Sequence, residues 1–262
     1  MSNQLSFVIV TSPNDSEVEN AIKSAKDLGE IYLIDGGHRL DLNKPASDYQ
    51  LIENLAKEYG CHYHRFTYEY SAKSYNFGIQ QVDSGYIFIL DSDEIIDDKL
   101  HDWLRLKKFT QNDVYAIKRI NYFVGKPIKH GHLGPDWNIR LFKKDCAVYE
   151  DRKVHARMIT NHKISKSPGL LLHFSNTSIN SYFLKMIDYS SREVTAREKK
   201  SQSTEIKSKV RGIVERLPMQ GFIKFVYSFL WKLGFLNGKL GFQLALTAAY
   251  YEILVSLKKD FK

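Results

Sequence analysis

The chain has 262 residues, 43% of them hydrophobic, enough to bury a full core in one large domain or two small ones, so a globular protein is the starting class. Two cysteines, Cys61 and Cys146, and a start at Met1-Ser2-Asn3-Gln4 with no basic leader argue against a secreted, disulfide-held fold; they point to a reducing cytoplasm and free thiols. The net charge of +8 is unevenly spread: residues 1–151 hold 18 Lys/Arg against 23 Asp/Glu, net −5, and residues 152–262 hold 20 against 7, net +13. A basic C-terminal half fits a polyanionic partner, whether an anionic membrane surface, a phosphate-bearing substrate or nucleic acid; the competing reading is a merely solvated basic surface.

Leu5 to Val10 is a compact, β-branched run that predicts a strand ending at Thr11. Ser16-x-x-Glu19 reads as a capping box, and Val18, Ala21, Ile22, Ala25 and Leu28 form an apolar stripe at helical spacing before Gly29. Ile31 to Ile34 predicts a second buried strand, tipped by Asp35-Gly36-Gly37. Ser47-x-x-Gln50 opens another amphipathic helix, followed by a short strand near His62 to Phe66 and a third helix over roughly Ala72 to Val82.

Next comes Tyr86-Ile87-Phe88-Ile89-Leu90, an apolar run without polar alternation, which stops on Asp91-Ser92-Asp93-Glu94. Such a run suits a strand covered on both faces of a parallel sheet, and ligands of those sheets bind beyond the carboxyl ends of the strands. Asp91 and Asp93 lie two apart, so on a continuing strand they share a face. Hard carboxylate ligands there suit Mg²⁺ or Mn²⁺. Strands alternating with helices define a mostly parallel, doubly wound α/β sheet, in which the tips of the first, second and fourth strands converge on one nucleotide-sized crevice.

Beyond Glu94 a helix is expected near Asp98 to Lys107, a strand over Val114 to Val124, a loop from Gly125 to Asp136, and mixed-sheet strands over Trp137 to Phe142 and near Leu170 to Phe174. From Ser178 the chain reads as helical, with Phe222, Phe225, Val226, Phe229, Leu230 and Leu233 on one helix face and a turn at Asn237-Gly238 before a last helix to about Lys258. Neither of these helices is expected to cross a bilayer, because the longest charge-free stretch, Leu240 to Tyr251, is 12 residues against the roughly 20 required. Aromatic residues and flanking lysines suit the membrane interface, and an α-hairpin packed on the core is the alternative. The pattern divides the chain into residues 1–176, an α/β domain, and residues 177–262, a basic, aromatic-rich helical region.

In order, Val10-Thr11 with Asn14-Asp15, Ile34-Asp35-Gly36, Ala72-Lys73-Ser74-Tyr75-Asn76-Phe77-Gly78, Leu90-Asp91-Ser92-Asp93-Glu94, Gly125-Lys126-Pro127-Ile128, Arg140-Leu141-Phe142-Lys143, Val154-His155 and Gly234-Phe235-Leu236-Asn237-Gly238 resemble glycosyltransferase family 2, the GT-A fold enzymes, and within it the bacterial branch that builds lipopolysaccharide core and capsular sugars. The resemblance covers nearly the whole chain. It implies an inverting, metal-dependent hexosyltransferase that uses a nucleotide-sugar donor, UDP-linked, and a glycan or lipid-linked glycan acceptor. It also implies work in the cytoplasm, peripheral at the inner face of the membrane. Thr11 and Asp35 would contact the base and ribose, with Lys73, Asn76 and Asp91 seating the donor. Asp93 would hold Mg²⁺ or Mn²⁺ with Asp91 assisting, and Arg140 would add positive charge on the pyrophosphate.

Inversion also requires a base for the acceptor hydroxyl. Here the chain departs from its relatives, reading Val154-His155-Ala156 where that branch commonly has Val-His-Glu. Asp151 is the expected base, with Glu150 the alternative; His155 and His173 are candidate third metal ligands or phosphate contacts, or else hydrogen-bonded structural histidines. A non-catalytic sugar-nucleotide or polyanion binder is the competing function, motivated by Ala156 and the basic C-terminal half. Thr11-Ser12-Pro13 leaves no Gly-rich phosphate loop for a nucleotidyltransferase, and the chain has no recognised nucleic-acid-binding module.

Overall fold

A computed structural model describes residues 4–12, 17–36, 47–67, 69–152, 156–201 and 219–261. Asn14, Asp15, Ser16, Gly37, Val154 and His155, on which several sequence readings fall, lie outside these residues. The chain divides into two compact units, Met1–Arg119 with Asp136–His173, and Ile120–Pro135 with Phe174–Lys262.

The first unit runs β1 (Leu5–Thr11), α1 (Val18–Ala25), β2 (Glu30–Asp35), α2 (Ser47–Tyr59), β3 (His62–Arg65), α3 (Ser71–Gln81), β4 (Tyr86–Asp91), β5 (Glu94–Ile96) and α4 (Asp98–Arg105). There follow β6 (Val114–Phe123), which from Ile120 belongs with the short β7 (Lys126–Pro127) to the second unit, then β8 (Asp136–Lys143), β9 (Val148–Tyr149), β10 (Met158–Ile159) and β11 (Ile164–Asn176), which passes into the second unit at Phe174. The main sheet has the order β3-β2-β1-β4-β8-β6-β11-β5, with β7 on β6, and β9 and β10 form a separate hairpin. The first four strands are parallel, whereas β8 joins β4 antiparallel and β6 joins β8 antiparallel.

The apolar alternation of the strands fills two cores. Phe7, Ile9, Leu33, Phe88 and Leu90 pack one sheet face beneath Val18, Ala21 and Ile22 of α1, and Val8, Ile34, Ile87 and Ile89 pack the other with Ile79 of α3. Gly78 lets α3 seat on that second face: a Cβ there would stand 2.5 Å from Val8 and 2.8 Å from Ile34 side-chain atoms. Asp97 caps α4, its side chain accepting from Leu100 N at 2.8 Å.

The second unit contains α5 (Ile179–Ser201), α6 (Met219–Val226) running into a π turn over Tyr227–Trp231, a 3₁₀ turn over Gly234–Asn237, and α7 (Gly238–Asp260). The expected stripe from Phe222 to Leu233 does not share one environment. Phe225 and Phe229 both meet Phe242 edge-on with ring centroids 5.7 Å apart, whereas Phe222, Leu230 and Leu233 are exposed; the π turn over Tyr227–Trp231 alters the helical phase for Leu230 and beyond, while Phe222, which precedes it, simply lies on the open side of α6. Gly241 lies so close to the 3₁₀ turn that a Cβ would fall 1.8 Å from Gly234 O. Asn237 holds the Gly125–Asp136 loop, donating to His130 O at 2.8 Å and accepting from Lys129 N at 3.3 Å. The 12-residue charge-free limit also proves too strict. Gly234–Asp260 is a 27-residue helical stretch long and apolar enough to cross a membrane by length and composition, with 28% of its most apolar window buried, because a span tolerates an isolated charge.

Candidate active site

Strand register builds the site. Thr11 is paired with Asp35 across β1 and β2, and Val10 with Asp91 across β1 and β4, so three strand tips present Thr11, Asp35 and Asp91 at one edge. Both Thr11 and Asp35 are buried. Asp35 Oδ2 accepts from Tyr63 OH at 2.8 Å, and that hydroxyl accepts from Arg65 Nε at 3.0 Å. Asp35 Oδ1 is buried with no hydrogen-bond partner among the described residues, a costly state for a carboxylate unless a ligand completes it.

β4 ends at Asp91, and the chain turns through Ser92 and Asp93 into β5. The two aspartates therefore part company instead of sharing a strand face. Asp91 takes a bidentate pair from Arg140, Nη1 at 3.2 Å and Nη2 at 2.6 Å, and a further hydrogen bond from Tyr75 OH. Burial alone would raise its carboxyl, but the Arg140 charge and these hydrogen bonds hold it well below the usual carboxylate range. Arg140 also donates to Glu94 at 2.7 Å, and Glu94 accepts from Asp91 N at 3.1 Å. Fully enclosed, Glu94 has its carboxyl raised by burial against the pull of Arg140. Arg119 stands 3.7 Å from Glu94 and grips Asp136 with bonds of 3.1 and 2.9 Å. The guanidinium of Arg140 is thus an internal counter-charge beneath Asp91, not the open pyrophosphate contact expected from the sequence, because its side chain is only 5% exposed.

Asp93 turns the other way. Its Oδ1 lies 3.3 Å from His173 Nε2, on the β11 residue paired in register with Glu94. An oxygen and a nitrogen donor side by side on a part-exposed carboxylate fit a divalent cation, and the imidazole favours Mn²⁺ over Mg²⁺.

The Ala72–Gly78 motif meets the site in unexpected ways. Asn76 does not stand open to a nucleotide: Nδ2 donates to Tyr149 O at 2.9 Å and Oδ1 accepts from Tyr149 N at 3.0 Å, which clamps β9 to α3. Tyr75 stacks on Tyr149 at 4.7 Å, and burial pushes the Tyr149 phenol up to about 12. Lys73 pairs with Glu69 at 2.6 Å and lies over the Tyr70 ring. Tyr70 OH in turn donates to Asp151 Oδ1. Glu150 points elsewhere, accepting from Arg157 N at 3.1 Å with Arg152 at 3.5 Å. The candidate base therefore follows a strand anchored by one side chain of α3 and is held by the residue that precedes that helix.

Tyr63, Tyr70, Tyr75, Glu94, Arg119 and Asp136 were not singled out as site residues from the sequence. Glu94 closes the Asp-Ser-Asp-Glu run and the three tyrosines flank or occupy α3 and β3, but no local pattern names their partners. At the opposite end of the strands lie a cavity of about 550 Å³ lined in part by Leu5, Lys26, Tyr59 and Arg105, and a cluster of Asp113, Cys146 and His162 whose donor atoms fall within 4.8 Å of one another. Neither includes a residue of the site just described.

A mixed sheet with acids at the tips of β2 and β4 and helices on both faces is the GT-A fold of glycosyltransferases. The family described as Glycosyl transferase family 2 matches residues 6–168; the chain belongs to this family. Among solved structures, the mannosyltransferase PcManGT from Pyrobaculum calidifontis, in complex with GDP-Man and Mn²⁺, superposes with a TM-score of 0.52 at 10% identity, over 98% of this chain and 87% of its own. TarS from S. aureus gives a TM-score of 0.44 at 15% identity, and this chain, 98% covered, spans 50% of its length. A 1-349 segment of TarS in complex with UDP-GlcNAc gives 0.42 at 13% identity, over 98% of this chain and 83% of its own.

Proposed function

We propose that the protein is an inverting, divalent-metal-dependent hexosyltransferase. It moves a sugar from a nucleoside-diphosphate donor, UDP-linked, to a glycan or lipid-linked glycan in bacterial surface-polysaccharide synthesis. It works from the cytoplasm at the inner face of the membrane. The observation that carries this reading is the meeting, at one sheet edge, of an unsatisfied buried Asp35 oxygen with Asp91, two residues from the Asp93–His173 donor pair. That the fold relative from Pyrobaculum calidifontis holds GDP-Man and Mn²⁺ supports the donor class and the metal.

In this reading Asp35 accepts a hydrogen bond from the base or ribose, its other oxygen fixed by Tyr63. Asp93 and His173 would hold the cation, with Asp91 kept anionic by Arg140 nearby. A bound divalent ion supplies positive charge to the pyrophosphate as it leaves. Asp151, oriented by Tyr70, takes the proton of the acceptor hydroxyl as that oxygen bonds to the anomeric carbon and the bond to the nucleoside diphosphate breaks on the opposite face. Glu150 is the alternative base.

The test is calorimetric titration of UDP with and without Mn²⁺, followed by mass spectrometry of reactions with a panel of nucleotide sugars. UDP binding is expected to require the metal and to vanish in Asp93→Asn. Equal binding in excess EDTA would remove the metal from the proposal. Binding without release of nucleoside diphosphate from any donor would identify the non-catalytic binder that Ala156 favours.

A further inference from the structure

The second unit carries a surface that its own packing does not account for. Of the 27 large hydrophobic side chains exposed among the described residues, 20 fall between Ile179 and Phe261, and they are ordered along the helices. On α7 the exposed Phe242, Leu246, Tyr250, Ile253 and Leu257 recur every three or four residues, forming a stripe about 22 Å long. The other side of the same helix, Gly241, Leu244, Ala245 and Ala248, is buried. A helix apolar on both its packed and its open side has no face designed for water. On α6 and the turn after it, Met219, Phe222, Ile223, Leu230 and Trp231 are exposed, Trp231 at 80%. Ile179, Phe183 and Ile187 add a third stripe on α5.

Charge follows the same division. Residues 120–135 and 174–262 hold 17 Lys/Arg against 7 Asp/Glu, net +10, while the rest of the chain holds 21 against 23, net −2. Lys224, Lys232 and Lys239 lie in or beside the apolar helices, whereas Lys258 is held internally by Ile187 O, Ser190 and Ser191. A solvated basic surface explains the charge but not the stripes, and a second copy of the chain would bring +10 against +10. An interface of anionic lipid accepts both features, since aromatic rings and lysine stems belong at the level of the headgroups.

We infer that α5, α6 and α7 form a docking surface for an anionic lipid bilayer, with the apolar stripes inserted at the interface and the lysines on lipid phosphates. The length of α7 would permit a crossing, but mid-helix Glu252 is paired with Arg197 at 3.0 Å and the small-residue side of the helix is packed within its own unit, which keeps α7 at the surface. This deepens the reading of the protein as an inner-face enzyme and rests on it only for which membrane is used.

The experiment is co-sedimentation of the full chain with vesicles of phosphatidylcholine, alone or with phosphatidylglycerol. The chain is expected to pellet with the anionic vesicles at low salt, to be released as salt rises, and to stay in the supernatant with neutral ones. The triple variant Phe222→Ser, Trp231→Ser, Leu246→Ser, whose side chains are already exposed, should lower partitioning roughly 100-fold or more. Lys232→Glu with Lys239→Glu should lower it by about 25-fold or more, at roughly fivefold for each basic residue lost. Circular dichroism and nucleotide-sugar hydrolysis should be unchanged in both. A wild type that ignores anionic vesicles, binds neutral ones equally, or resists alkaline carbonate extraction as a spanning protein would overturn the inference. So would a dimer that dissociates in the triple variant. Loss of hydrolysis by the wild type with vesicle binding intact would instead break the activity reading and leave the surface standing.

Discussion

Replacing Asn76 with Ala separates two functions for one side chain: contact with a donor nucleotide, or support of the strand that leads to the base. Both ends of the amide bond the Tyr149 backbone, at 2.9 and 3.0 Å, and Glu150 and Asp151 come next in the chain. Losing two hydrogen bonds worth about 1 kcal/mol each, and leaving a part-buried N–H and C=O to find water, should cost about 2–4 kcal/mol of unfolding free energy. β9 is only two residues long, and the Tyr75 stack and the β10 pairing that remain do not fix its backbone against α3 as the amide does, so Asp151 should lose its position. Turnover is then expected to fall roughly 10- to 100-fold, while donor affinity stays within about twofold. Urea unfolding measures the first quantity, product release the second and donor titration the third. If donor affinity drops tenfold while the unfolding curve is unmoved, the amide reads the nucleotide and the clamp argument is wrong.

Asp151→Asn should reduce turnover by about 10²-fold or more with donor binding preserved; a larger loss in Glu150→Gln would exchange the two roles. Arg140→Met leaves Asp91 without its cation and Glu94 with only Arg119 at 3.7 Å, and should cost about 3–5 kcal/mol in urea unfolding; an unchanged midpoint would show that this network contributes nothing. His132, bonded to Ser228 at 2.8 Å, is held down to about 4, first by burial and then by the charge of Lys224. The unfolded chain therefore binds the extra proton first, so as pH falls from about 6.5 to 4 this residue should remove roughly 1.4 kcal/mol of stability per pH unit. Thermal melts of wild type and His132→Gln should converge over that range, and parallel curves would refute the assignment. Burial pushes the Cys61 thiol up to about 11, so only about 0.1% is thiolate at pH 8; iodoacetamide should label it slowly at that pH and faster as pH approaches 11, and rapid labelling at pH 8 would contradict the environment described.

The order of strands and helices through β4 could be read along the chain because each signal is local. Tyr86–Leu90 is apolar at every position because both faces of its strand are covered, and the helical spacing of Val18, Ala21, Ile22 and Ala25 records the single face that α1 buries. The meeting of Thr11, Asp35 and Asp91 was legible too, since neighbouring parallel strands must end at a common edge. Side-chain partners were another matter. Arg140 reaches Asp91 because β8 enters antiparallel beside β4, and His173 reaches Asp93 because β11 pairs with β5. These registers join residues 49 and 80 positions apart, and nothing in the local pattern of either segment encodes them. Asn76 was assigned to the nucleotide for the same reason: its spacing places it on α3, but only the docking of β9 decides which backbone its amide meets. The stripe from Phe222 to Leu233 splits between a packed and an open side because helical spacing names a shared face but not which part of it finds a partner: Phe225 and Phe229 meet Phe242, Phe222 does not, and the π turn over Tyr227–Trp231 shifts the phase at Leu230 and beyond.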